Sequence, residues 1–175
     1  MQKNALWNNL EFIYFFGRKS VMLPISLLIV DDEQALTDIL AVRLGKRGFA
    51  VKTAPDGETA LRLTADDHAI EVVLLDIAMP GMDGIETLKA MKKNNPLLEI
   101  IMLTGQGTVE TAVESIKLGA YNYLTKPCKI EDLTAYIEEA AQQRRTREAK
   151  ILDIRMTPYL TDEKRKEMIA AILND

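Results

Sequence analysis

Ser26-Leu27-Leu28-Ile29-Val30-Asp31-Asp32-Glu33 is a short apolar run that stops abruptly on three acids. Its apolar residues are consecutive rather than alternating, which suits a strand buried on both faces. The same design returns at Glu71-Val72-Val73-Leu74-Leu75-Asp76. Phe49 to Ala54, Glu99 to Leu103 and Tyr121 to Leu124 read as three more strands, the last two running into Thr104-Gly105 and Thr125-Lys126-Pro127. Helical spacing fills the intervals. Leu36, Ile39, Leu40 and Leu44 recur before a stop at Gly48, and Ala60, Leu61 and Leu63 follow the turn Pro55-Asp56-Gly57. Ile85, Leu88 and Met91 follow Pro80-Gly81-Met82-Asp83-Gly84, where Asp83 is a candidate cap, and Asn94-Asn95-Pro96 ends that helix. Val109, Ala112, Val113, Ile116 and Leu118 mark a fourth helix closed by Gly119. Leu133, Tyr136, Ile137 and Ala140 mark a fifth, from Ile130 to about Gln143. Five strand–helix units imply right-handed crossovers and an α/β, doubly wound parallel sheet with helices on both faces.

The chain has 175 residues, 47% hydrophobic and 27% charged, enough for one packed domain with appendages. A net charge of −4 argues against nucleic-acid binding through a basic surface. One Cys excludes an internal disulfide, and one His beside one Cys excludes a structural zinc cage. This usage fits a reducing, cytoplasmic setting. No apolar run approaches the roughly 18–20 residues of a membrane span. The segment Leu10 to Phe16, LEFIYFF, is too short for one and carries Glu11. Arg18 and Lys19 follow the apolar stretch instead of leading it, unlike a secretory signal. Residues 1–22 therefore read as an appended arm upstream of a second possible start at Met22, with a membrane-surface or partner-docking segment as the alternative.

In open parallel sheets the functional site lies beyond the carboxyl ends of the strands. Asp31 and Asp32 follow the first strand, Asp76 the third, Thr104 ends the fourth and Lys126 follows the fifth. Carboxylates brought within a few ångströms repel and need a cation. Oxygen ligands without His or Cys suit Mg²⁺. Lys126 supplies a further positive charge, and Thr104 a hydroxyl able to hydrogen-bond an oxyanion. Each residue alone has an ordinary reading as a cap or a turn. Their joint occurrence at four strand ends does not.

Ile29-Val30-Asp31-Asp32-Glu33, Leu74 to Gly84, Leu103-Thr104-Gly105 and Leu124-Thr125-Lys126-Pro127 resemble the receiver domain of bacterial two-component response regulators. The likeness covers about Leu23 to Gln143. The stretch from Gly107 to Tyr121 is most similar to the nitrogen-regulatory branch. The resemblance implies a flavodoxin-like sheet of order 2-1-3-4-5. It implies that Asp76 accepts a phosphoryl group from a sensor histidine kinase or phosphotransfer protein. Asp31 and Asp32 would form the acidic pair for Mg²⁺, with Asp76 and the backbone carbonyl of Ala78 as further ligands. Thr104 would be the switch hydroxyl, Tyr123 the switch aromatic, turning inward from an exposed rotamer, and Lys126 the phosphate-pairing lysine before a cis Pro127. Positions Ala78 and Gln106 would tune hydrolysis of the aspartyl phosphate. The chain would then be a phosphoacceptor assisting its own chemistry rather than a conventional enzyme, with a homodimer possible when phosphorylated.

Two other classes compete. A Mg²⁺-dependent phosphohydrolase on a related fold would carry a second acid two residues after the nucleophile, where this chain has Ala78. A phosphorylation-independent interaction module would be expected to lack an acid, the Thr or the Lys, and all are present. His68, in Asp66-Asp67-His68, reads as an exposed loop residue, Cys128 as a small packing residue with a redox-sensitive thiol near Lys126 as the alternative, and Glu33 as a possible helix cap. The three divisions are an extension over 1–22, a receiver over 23–143 and a short helical tail over 144–175. In that tail Ile151, Leu152 and Ile154 can prolong the fifth helix to Thr157-Pro158, and Thr161 to Leu173 reads as another helix. No GxxxxGK[ST] motif occurs. A stand-alone receiver and a piece of a longer regulator are both consistent with that.

Overall fold

A computed structural model describes residues 23–105 and 107–174. The elements alternate as the sequence requires: β1 (Ser26–Val30), α1 (Gln34–Gly45), β2 (Ala50–Ala54), α2 (Gly57–Asp66), β3 (Val72–Leu75), α3 (Gly84–Asn94), β4 (Glu99–Thr104), α4 (Val109–Lys117), β5 (Asn122–Thr125), α5 (Ile130–Met156) and α6 (Asp162–Asn174). The five strands form one parallel sheet of order β2-β1-β3-β4-β5. Val30 pairs with Leu75, Leu75 with Met102, and Thr104 with Thr125, so the strand ends align along one edge.

Alternation divides the apolar runs between two cores. Leu28, Val30, Val73, Leu75, Ile100 and Met102 face Ala60 of α2 and Leu88 and Met91 of α3. Leu27, Ile29, Val72, Leu74, Ile101 and Leu103 face Leu44 of α1 and Leu133, Ile137 and Ala140 of α5. The interiors of β1, β3 and β4 lack polar positions because neither side of these central strands meets water, whereas the edge strands β2 and β5 carry Lys52, Thr53 and Asn122. Burying each of the core side chains contributes about 1.5–3 kcal/mol.

Two helices are oriented differently from the sequence reading. In α1 the inward stripe is Thr37, Leu40, Ala41 and Leu44, and Ile39 points to solvent with Val42. In α4 the apolar residues Val109, Val113 and Ile116 face outward, and the buried position is Ser115. Its hydroxyl donates to the Thr111 carbonyl, which lets a polar residue sit inside.

Beyond Gln143 the fifth helix is prolonged to Met156, as Ile151, Leu152 and Ile154 allow. α5 passes through that point without a break and runs 27 residues. Buried Arg144 donates through Nη1 to the Ile70 carbonyl and through Nη2 to the His68 carbonyl at 3.0 Å. Arg145 grips Glu71 with two bonds, 2.6 and 2.9 Å. Arg147 reaches Glu99, buried at the start of β4, at 3.0 Å. The shift to charged composition after Gln143 therefore marks residues that face acids and carbonyls at the amino edge of the sheet. Residues 1–22 lie outside the described residues. Among the described residues, no helix is long and apolar enough to cross a membrane.

Candidate functional site

At the carboxyl edge, the chain leaves β1 through Asp31, whose N–H donates to the Ala54 carbonyl at 3.2 Å. It leaves β3 through Asp76, whose N–H donates to the Val30 carbonyl at 2.9 Å. These bonds continue the sheet ladder by one residue and fix both acids beside each other. Both are nearly buried. Lys126 follows β5, and its N–H donates to the Thr104 carbonyl at 2.8 Å. Its peptide bond to Pro127 is cis, as the resemblance implied.

The Lys126 ammonium joins the acids. Nζ lies 2.6 Å from Asp31 Oδ2 and 2.8 Å from Asp76 Oδ1. The other oxygen of each carboxylate accepts a backbone N–H: Asp31 Oδ1 from Glu33 at 2.9 Å, Asp76 Oδ2 from Ala78 at 2.7 Å. Both carboxylates are thus held in one orientation. Burial alone would lower the Lys126 pKa, but the hydrogen bonds to Asp31 and Asp76 outweigh it and hold the ammonium above the ordinary lysine range. The group is fully charged at neutral pH.

Thr104 is fully buried at the end of β4, and Ala78 is exposed on the loop after Asp76. Asp32 departs from the expected cluster of three acids. It is exposed, and among the described residues no group of three or more acidic, His or Cys side chains is drawn together. The physical reason is charge. Two carboxylates already share one ammonium, and a third would add repulsion. Glu33 occupies the position before α1, but its side chain makes no cap bond; its carbonyl accepts from the Thr37 hydroxyl at 3.2 Å. Asp83 does cap α3, accepting from the Glu86 N–H at 2.8 Å.

The donor set fits a hard cation. It is all oxygen, and Asp31 and Asp76 already converge on one positive charge. Exposed Asp32 stands one residue from Asp31, on the solvent side.

Tyr123 differs from its expected outward position. It is half-buried against the core on the α2/α3 side, and its hydroxyl lies 3.1 Å from Thr111 Oγ1. Thr111 also closes the α4 cap: Thr108 Oγ1 accepts from the Thr111 N–H, and Thr111 Oγ1 accepts from the Thr108 N–H. A Cβ built on Gly107 would stand 2.1 Å from the Tyr123 hydroxyl, so the ring depends on a glycine there. Gly84 has a parallel role. A Cβ there would stand 2.1 Å from the Asp76 carbonyl oxygen, so α3 starts hard against the backbone that carries Asp76. The sequence reading missed both glycines and Thr111. The Thr108-x-x-Thr111 spacing was the available signal for the cap; no sequence signal marks a glycine that faces a distant residue.

The remaining candidates separate. His68 is exposed, and only its carbonyl is used, by Arg144. Cys128 packs beside the α1/α5 core, and burial pushes its thiol pKa up, against the pull of Lys126. That is the environment of a packing residue. Position 106 lies outside the described residues.

A parallel 2-1-3-4-5 sheet with two buried acids and a lysine converging at its carboxyl edge, beside a buried threonine, is the architecture of a signalling receiver. Residues 27–138 match the response regulator receiver domain, and the chain belongs to that family, the receiver domain of two-component response regulators. It is 41% identical over 116 residues to the regulatory protein AtoC of Escherichia coli K12, covering 66% of this chain and 25% of that protein. It is 40% identical over 120 residues to a response regulator of the NtrX-like type from Rickettsia bellii, covering 67% of this chain and 25% of that protein. The chain thus spans about a quarter of the length of these relatives. Among solved structures, the beryllofluoride-activated receiver domain dimer of NtrC4 superposes with a TM-score of 0.64 at 34% identity, covering 68% of this chain and 98% of that one.

Proposed function

We propose that Asp76 is the phosphoacceptor of this receiver. One carboxylate oxygen attacks the phosphorus of a phosphohistidine on a sensor kinase or phosphotransfer protein. The P–N bond breaks, its electron pair returns to the imidazole, and an aspartyl phosphate forms. The observation that carries this reading is the Lys126 ammonium set 2.8 Å from Asp76 Oδ1. A fixed positive charge beside the nucleophile stabilises negative charge that develops on the phosphoryl oxygens. The Ala78 N–H on Oδ2 fixes the rotation of the carboxylate. Asp31, Asp32, Asp76 and the Ala78 carbonyl would hold Mg²⁺, which when bound adds charge neutralisation at the same oxygens. The setting of such a reaction is cytoplasmic.

The readout proposed is the α4–β5–α5 face. Thr104 ends β4 beside β5, and the Tyr123 hydroxyl of β5 meets the α4 cap at Thr111. Val109, Val113 and Ile116 leave an apolar stripe exposed on α4, suited to a partner or a second copy. Phosphorylation biases an existing equilibrium of these groups. The NtrC4 receiver forms a dimer when activated, and the same outcome is proposed here.

Intact mass after incubation with acetyl phosphate and Mg²⁺ tests the acceptor. A gain of one phosphoryl group in wild type and none in Asp76→Asn is expected; a gain that survives the substitution places the acceptor elsewhere. Amide exchange with a beryllofluoride mimic tests the readout, and changes confined to α1 and α2 would refute it.

A further inference from the structure

The C-terminal hairpin of α5 and α6 carries three defects, all close to its turn. Five residues, Thr157 to Thr161, join the helices. Within them Tyr159 has φ of 63°, a left-handed conformation costly for a bulky side chain, and it is fully exposed. The first turn of α6 contains Arg165, whose Nη2 donates to the Thr157 carbonyl at 3.0 Å while its Nε is buried without a partner. Leu152 and Met156, one turn apart at the end of α5, are 61% and 75% exposed. With Tyr159 in the turn itself, apolar side chains are left exposed on both sides of Pro158.

The seat of α6 is well made by comparison. Ile169 and Leu173 share a groove with Pro96 and Leu97 of the α3–β4 turn and with Ile151 and Leu152 of α5. α6 fits it shallowly. Arg165, Ile169, Ile172 and Leu173 are its half-buried positions, and none of its described side chains is fully buried. A helix held this way opens at low cost. Opening does not fuse α5 and α6 into one straight helix, because the Pro158 ring would meet the Ile154 carbonyl. It leaves a free α6 on a released hinge and an empty groove that matches it.

We infer that two copies of this chain exchange α6, each helix occupying the groove of the other copy. Exchange recreates every seat contact between chains, so little is lost by it. It lets Tyr159 return to extended backbone, and it brings the exposed Leu152, Met156 and Tyr159 of both copies together where the hinges cross. The strain and the exposed apolar surface both lie at the hinge, which singles out a second copy over an unrelated partner. This dimer forms at the amino edge of the sheet and needs no phosphoryl group, so it is separate from the α4 face.

Sedimentation of the unphosphorylated full chain across a concentration range tests it, with a paired-cysteine variant. Leu97→Cys and Leu173→Cys face one groove, and Cys128→Ser removes the native thiol. Oxidation is expected to give a covalent dimer whose share rises with concentration. Tyr159→Gly, which makes the closed turn easy, is expected to raise the dimer Kd by about tenfold or more. A chain that stays monomeric up to submillimolar concentration overturns the inference. So does a dimer indifferent to Tyr159→Gly, or one in which oxidation of the paired-cysteine variant leaves the two chains without a disulfide between them.

Discussion

Ending the chain after Gln143 should unfold most of what it leaves, although every residue of the proposed site is retained. Glu99 is the centre of the effect. It is 1% exposed, and Arg147 at 3.0 Å is its close partner, with Lys92 at 3.8 Å. Removing Arg147 leaves a buried carboxylate with one distant cation, at a cost of about 3 kcal/mol. Loss of the Arg144 bonds to the Ile70 and His68 carbonyls adds about 1–2 kcal/mol, because water recovers part of it. The Arg145–Glu71 pair is more exposed and adds under about 1 kcal/mol. The sum of about 5 kcal/mol rivals the total stability of a domain, about 5–15 kcal/mol. Urea unfolding followed by circular dichroism checks this, with Arg147→Ala as the single-site version. Burial already holds the Glu99 pKa above the usual carboxylate range, with Lys92 and Arg147 opposing. A raised folded pKa gives stability that is full below the unfolded value and lost as pH rises through the folded one. The Arg147→Ala penalty should therefore be largest at neutral pH and shrink in acid as Glu99 takes a proton. A midpoint for the 143-residue chain equal to that of the full chain, or a penalty flat with pH, refutes the reasoning.

Lys126→Met should leave Asp31 and Asp76 facing each other, destabilise by about 3 kcal/mol at pH 7 and recover partly in millimolar Mg²⁺; a melting point blind to Mg²⁺ in this variant contradicts it. The raised Lys126 pKa makes its stabilisation complete below about 10.5 and lost above, so the difference between wild type and Lys126→Met should hold from neutral pH and decline only in strong alkali. Gly84→Ala should cost about 2–3 kcal/mol and slow phosphoryl uptake, since the added methyl meets the Asp76 backbone, which cannot yield; wild-type uptake rates rule this out. Gly107→Ala should displace the Tyr123 ring outward with little loss of fold, visible as raised tyrosine accessibility.

The sheet was legible because its signals are local. Leu27 to Val30 are apolar at every position since both faces of β1 are covered, and a buried parallel strand has no other way to look. The residues at the strand ends were legible for a related reason: topology alone brings Asp31, Asp76, Thr104 and Lys126 to one edge, whatever the packing. What was not legible depends on distant partners. No local signal distinguishes Arg144, Arg145 and Arg147 within the charged stretch after Gln143, because their partners, the Ile70 carbonyl, Glu71 and Glu99, lie some 70 residues away, or nearly 50 for Glu99. The apolar residues of α4 looked like core because helical spacing gives a stripe without saying which way it faces.

Asp32 and Tyr123 stand apart from their expected places for a deeper reason, since each position depends on the balance of its neighbours. Asp31 and Asp76 satisfy Lys126 without help from Asp32, so the third acid stays in water. Tyr123 is half-buried, its hydroxyl on Thr111, while Thr104 lies buried at the end of β4. A half-buried tyrosine is therefore compatible with a buried Thr104. The phosphoryl group has only to favour a state that the Gly107 gap and the Thr111 hydroxyl already permit. Under the proposed readout, how well those two residues hold the tyrosine would set the equilibrium of the α4 face, and an aspartyl phosphate would act on it by adding a small bias.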